Sequence, residues 1–179
     1  MKKVKFRFYL DFEKEEKWIN EMAQSGWHLE KFFLGLFTFT KGESGDSIYR
    51  NEFITGMSAR EKKEYFEILK DSGITIVHEF GGWVYMKKAA AEGPFEIYTD
   101  TKSKIDYYKR ILNIFLVLFF VNLSLGIMNV NIYTDNSSIE IANASIGVIN
   151  IAVALLIAVP IVKIIKRKKG LEEEQQFFE

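Results

Sequence analysis

Two histidines, three tryptophans and a scatter of carboxylates are the side chains of this sequence with chemistry to offer. His28 and His78 are its only imidazoles, and an aromatic-rich α+β domain could use one of them as an axial haem ligand. The plainer reading makes both of them strand residues at a surface or interface. Trp18, Trp27 and Trp83 could line a ligand pocket, or simply fill a core. The Gly81-Gly82 pair lacks the spacing and the following helix of a phosphate-binding loop. Glu13, Glu15, Glu16 and Glu61, Glu64, Glu67 interleave with Lys14, Lys17, Lys62 and Lys63, a spacing that predicts solvated helix faces laced by i,i+4 pairs. These are not the paired acids of glycoside hydrolysis, and no Ser/His/Asp motif is present. Without any Cys there is no thiol nucleophile, disulfide framework or cysteine metal site. The expectation is therefore no catalytic residue, metal or cofactor, with His28, His78 and Trp83 as the positions where a bound cofactor would show.

The elements that position these residues follow from periodicity. Val4, Phe6, Phe8 and Leu10 alternate with Lys3, Lys5, Arg7 and Tyr9, which predicts a half-buried strand. Asp11 can cap a helix over 12–24, where Trp18, Ile19, Met22 and Ala23 form an apolar stripe ended by Gly26. An extended, Phe-rich segment fills 27–40, with Phe32, Leu34 and Leu36 on one side and Phe33, Phe37 and Phe39 on the other. A weak self-similarity at a period of 47 residues then repeats the pattern: strand 48–55, helix 59–71 capped by Ser58, Gly73, strand 74–87. The order βαββαβ predicts a ferredoxin-like antiparallel sheet with two helices on one face. Gly35 and Gly81-Gly82 interrupt the long strands at matching places, as bulges or as tight turns that fold one strand into a hairpin. A sheet apolar on both sides needs a cover for its second face, for which homodimerisation is the expectation and the membrane surface the alternative.

At Arg110 the solvent changes. Two apolar runs, 111–130 and 146–165, hold 20 residues each, enough to span about 30 Å of hydrocarbon. Fourteen Leu, Ile, Phe and Val in the first run supply roughly 6 kcal/mol of insertion free energy, which outweighs Asn113, Asn122 and Ser124. Lys102, Lys104, Lys109 and Arg110 precede the first run, and Lys166, Arg167, Lys168 and Lys169 follow the second. No Lys or Arg lies in 131–145. The positive-inside rule then predicts two passes through the cell membrane, with both termini cytoplasmic and the loop outside. The expected division is a cytoplasmic ferredoxin-like domain 1–96, a juxtamembrane helix 97–110, spans 111–130 and 146–165, an external loop 131–145 and a cytoplasmic tail 166–179, whose acidic part 170–179 is expected to be disordered or briefly helical. Asn122 and Gly126 on one span, and Gly147, Asn150, Ala154 and Ala158 on the other, form small or polar stripes suited to packing within one hairpin, with packing between subunits as the alternative. An antiparallel hairpin would set Gly126 level with Asn150 and Asn122 with Ala154. The basic cluster 166–169 would attract anionic lipid. The tetrapeptide at 97–100 recurs at 132–135, where the likeness is put down to chance. The opening 1–8 is basic but lacks the apolar core of a signal peptide, so the amino-terminal domain is expected to stay where it is made. Zero net charge speaks against a nucleic-acid partner.

Phe80-Gly81-Gly82-Trp83, Gly26-Trp27 and the run 97–104 together resemble the bacterial family catalogued as domain of unknown function 2812, over about residues 5–105. Ile74 departs from it, standing where a second Gly-Trp pair would be expected. The resemblance implies a frequent membrane hairpin after the domain and neighbouring genes for PadR-type transcriptional regulators, and it carries no activity or catalytic residues. The expected role is a non-enzymatic membrane-tethered sensor, regulator or accessory subunit acting through protein contacts. The alternatives are an enzyme or cofactor-binding protein with an aromatic pocket, and a subunit of an exporter.

Overall fold

Where two long strands are expected, the chain turns back on itself. In the computed structural model, which describes residues 1–98, 100–132 and 137–178, strand β2 (Trp27–Phe33) meets β3 (Leu36–Lys41) through Leu34-Gly35. Strand β5 (Thr75–Phe80) meets β6 (Trp83–Ala89) through Gly81-Gly82. All four turn residues have positive φ (44° and 82°, 58° and 86°), as a two-residue type I′ hairpin requires. With β1 (Lys2–Phe6), helix α1 (Phe12–Gln24), β4 (Ser47–Phe53) and helix α2 (Ala59–Asp71), the order becomes βαβββαββ. The fold is mixed α+β with six strands in two antiparallel sheets, β1-β3-β2 and β4-β6-β5, in place of a single sheet built from βαββαβ. The turn also resets the alternation: Phe32 pairs with Phe37 and Phe33 with Leu36, so Phe32, Phe37 and Phe39 share a face.

The two halves repeat each other in detail. Ladders match under the 47-residue shift, Lys2↔Thr40 becoming Tyr49↔Lys87 and His28↔Thr40 becoming Thr75↔Lys87. A register shift sits between Leu29 and Lys31 and again between Ile76 and His78. The Arg7 N–H donates to Gly35 O at 2.8 Å, and the Ile54 N–H to Gly82 O at 2.8 Å. Both helices keep their expected bounds. Ser58 and Glu61 close a capping box on α2, and that bond holds the Glu61 carboxyl below its ordinary range.

Two cores result. Trp18, Ile19 and Ala23 of α1 pack with Leu29, Phe37, Phe39, Tyr49 and Tyr85, so the inner face of the first sheet and one face of the second share a cluster. The other face of the second sheet, Val84 and Met86, packs with Leu69, Ile74 and Phe95. The second sheet is thus buried on both faces, the first on one.

The described chain divides into two units, Met1–Ile97 and Tyr98–Glu179. The second holds α3 (Thr101–Val130) and α4 (Ser137–Phe178), both long and apolar enough to cross a membrane. Asp100 caps α3, its Oδ1 accepting from the Ser103 N–H at 2.7 Å, so the expected juxtamembrane helix and first span are one continuous helix. Helix α4 begins at Ser137, within the expected loop, and runs through the expected tail. Nothing from 137 to 146 breaks a helix, and Lys168–Glu172 and Lys169–Glu173 pair i,i+4 across the tail. Of the 132–135 recurrence, residues 133–135 lie outside those described.

Candidate functional site

Both imidazoles are placed by strands, and the better placed one is occupied. His28 on β2 is buried, with Nε2 2.7 Å from Glu43 O and 3.4 Å from Asp46 Oδ1, and Nδ1 3.3 Å from the Tyr49 hydroxyl. It is buried rather than at the surface, and both ring nitrogens already have partners. His78 is half-buried on β5 beside the register shift, opposite Tyr85. The tryptophans do not converge. Trp18 stands edge-on to Phe37 and Phe39 at 5.0 and 5.5 Å, Trp83 packs between Phe12 and Phe53 at 5.5 and 5.1 Å, and Trp27 lies beneath Lys3 and Lys41. A groove of about 560 Å³ runs between α2 and β5, walled by Phe66, Ile74 and Ile76 and rimmed by Lys62, Lys63 and Lys70.

The carboxylates hold the largest correction. Glu15 and Glu16, expected on a solvated face, are turned inward, where α1 lies along the open edge of β4. Glu16 Oε2 accepts from the Asn51 N–H at 3.0 Å, and its carboxylate also pairs with Arg50. Asn20 completes the edge. Its amide nitrogen donates to Tyr49 O at 2.9 Å, and its Oδ1 accepts from the Tyr49 N–H at 2.8 Å. Polar side chains thus stand in for a missing strand partner. Glu15 accepts from the Tyr85 hydroxyl at 2.7 Å, and buried Glu52 from the Tyr65 hydroxyl at 2.7 Å. Burial pushes the carboxyls of Glu15 and Glu16 above their ordinary range, against the pull of Tyr85 on one and of Arg50 and Asn51 on the other. Burial, reinforced by the Glu15 carboxylate, also pushes the Tyr85 phenol up. Asn51 donates to Phe12 O at 3.2 Å, while its Oδ1 finds no partner among the described residues. Among those residues no three His, Cys, Asp or Glu side chains gather as a metal site.

In the helical unit the stripes do meet. A methyl built on Gly126 would stand 3.1 Å from Gly147 O and 2.7 Å from Ile151 Cγ1; one on Gly147 would stand 2.8 Å from Gly126 O. Gly126 therefore lies against Gly147 and Ile151, within one turn of the expected Asn150. Ala154 is buried and Ala158 half-buried. Asn122 does not reach across, since its amide donates to Leu118 O of its own helix at 2.8 Å. Of the basic cluster, Lys168 and Lys169 are engaged by Glu172 and Glu173, Arg167 is half-buried, and Lys166 is exposed.

The first strand is turned the other way round from its pattern. Register sets Lys3 opposite Phe39 and Lys5 opposite Phe37, on the buried side of the sheet. Lys3 lies 4.6 Å over Trp27, and Arg7 just beyond the strand 4.7 Å over Trp18, so the cations lie over the aromatic core. Val4 and Phe6 consequently point outward, 61% and 69% exposed, with Phe8, Phe33, Leu34 and Leu36 exposed around them.

A family model described as "Protein of unknown function (DUF2812)" matches residues 11–120, more than half of the chain. The chain belongs to this family. No curated protein and no solved structure matches it.

The DUF2812 match takes in both halves of the repeat from α1 onward, the polar seam between α1 and β4, and the start of the apolar part of α3. Strand β1 and helix α4 lie outside it. Sequence reasoning overlooked the seam, although it left a trace. Arg50-Asn51-Glu52 occupy the strand positions that hold Lys3-Val4-Lys5 in the first half, with polar Asn51 standing where the first half has Val4.

Proposed function

We propose that this DUF2812 protein is a two-pass membrane protein whose amino-terminal unit faces the cytoplasm and acts by binding rather than by catalysis. The observation that carries the reading is the state of the two long helices. They pack on each other through Gly126 and Gly147, yet Val117, Phe120, Ile149 and Leu155 remain exposed on their outer flanks. Apolar flanks of that extent call for lipid. The cations before residue 111 and after 165, with none in 131–145, support cytoplasmic termini. The occupied nitrogens of His28 and the seam carboxylates support binding over chemistry, since these groups hold the unit together.

Because the chain lacks Cys, single cysteines report topology cleanly. In intact cells producing the protein, Asn131→Cys should react with a membrane-impermeant maleimide, and Arg60→Cys should react only after permeabilisation. The reverse pattern would refute the orientation. A Soret band in the purified protein that disappears in His28→Ala would refute the binding reading in favour of a haem protein.

A further inference from the structure

The internal repeat supplies its own control for the exposed face. Under the 47-residue shift Val4, Phe6 and Leu36 correspond to Asn51, Phe53 and Trp83, which border the seam and the first core. The same face of the first sheet carries Val4, Phe6, Leu36 and Phe33 in the open. Leu34 sharpens the contrast. It occupies the first position of the type I′ turn at φ 44°, where the second half has Gly81, and it is 65% exposed. A leucine in left-handed backbone is strained, and one left 65% exposed gains little burial in return. Such a residue at a bare hairpin tip points to a contact outside the chain.

We propose that the outer face of the first sheet, with Leu34 at its tip, docks on an anionic bilayer surface. The charges select this occupant. Exposed Lys31 shares the face with Val4 and Phe6, as does Lys2, which is paired with Glu30, while Lys3 and Lys5 lie on the opposite side of β1. β1 is an edge strand, so a second copy meeting it there would set lysine against lysine. Acidic headgroups supply counter-charges at the depth where Phe6, Phe8 and Leu34 would enter the acyl boundary. Only residues 98–100 separate the end of the first unit from α3, so the chain connecting that unit to the helices is short. The inference rests on the membrane-anchored reading above.

The test uses the full chain in vesicles of phosphatidylcholine with or without phosphatidylglycerol, carrying nitroxide on the upper acyl chain. Single cysteines at Phe6, at Val148 on an outer helix flank, and at exposed Arg60 receive a fluorophore. Quenching is expected at Phe6→Cys and Val148→Cys and not at Arg60→Cys. The Phe6 signal should fall without phosphatidylglycerol, with the docked-to-undocked ratio dropping about fivefold for Lys31→Gln. Leu34→Gly should raise the melting temperature while lowering that quenching; undiminished quenching would overturn the role of the tip. Quenching at Val148 but not at Phe6 would overturn the docking and leave the anchoring intact. Quenching at neither would overturn both. A disulfide trapped between two Phe6→Cys chains would assign the face to a second copy and overturn the bilayer.

Discussion

Glu15 shows how far one residue can depart from what its neighbours in sequence suggest. It lies in a run of Glu and Lys at helical spacing, yet α1 turns it toward β6, where the Tyr85 hydroxyl is its partner. Its folded-state pKa stands above the ordinary 4.5 because burial disfavours the charge. The native state therefore holds this proton more tightly than the unfolded chain. The resulting stabilisation is complete below about pH 4.5 and is lost as pH rises through the folded pKa. Glu15→Gln keeps an acceptor for Tyr85 and removes the desolvated charge. It is expected to raise the melting temperature at pH 7 and to flatten the melting curve against pH, measured on the full chain in detergent. A lower melting temperature at pH 7 would mean that the hydrogen bond to the ionised form outweighs desolvation.

At the scale of elements, helices were far more legible than strands. Both amphipathic helices kept their expected ends because stripes, Gly stops and, at α2, the Ser58 cap act within a few residues, while Asp11 precedes α1 without the expected side-chain cap bond. The long strands were ambiguous because glycine at 35 and at 81–82 suits either a bulge or a turn, and only the pairing of Phe33 with Leu36 and of Phe80 with Trp83 decides. For β1 the pattern itself misled: alternation shows that two faces differ, not which one is buried. Phe37 and Phe39 drew the lysine face inward. The helical hairpin yields a sharper expectation. Gly147→Leu would drive Cβ to 2.6 Å from Val130 Cγ2 and 2.8 Å from a backbone oxygen that cannot yield. It should destabilise the hairpin by about 1–3 kcal/mol in detergent unfolding. Ala152→Leu, on an exposed flank, should leave it unchanged.

Across the whole amino-terminal unit, burial is graded. Strand β6 is central in a sheet covered on both faces, with Val84, Tyr85 and Met86 all buried. Strand β1 is an edge with one face bare. Hydrogen exchange should separate them: β6 amides are expected to exchange only through global opening, and β1 amides through local fraying orders of magnitude faster. The measurement is amide exchange read by mass spectrometry on the full chain. Equal protection of β1 and β6 in detergent would contradict the burial pattern; protection of β1 gained only in anionic vesicles is what docking of its outer face would produce.

The sequence by itself determined the two apolar helices, the ends of α1 and α2, the 47-residue repeat and the family. All of these depend on composition or on spacing within one or two turns. The tertiary structure decided that each half is a hairpin-bearing unit with its own sheet, that Glu15 and Glu16 line a seam, that His28 is buried and occupied, and that β1 shows its apolar side to solvent. These follow from which strand edge and which face the second half presents to the first. The seam contacts join residues some 30 to 70 positions apart, as Glu16 meets Arg50 and Glu15 meets Tyr85. No local pattern encodes them, because burial belongs to the assembled pair of surfaces and not to either strand alone.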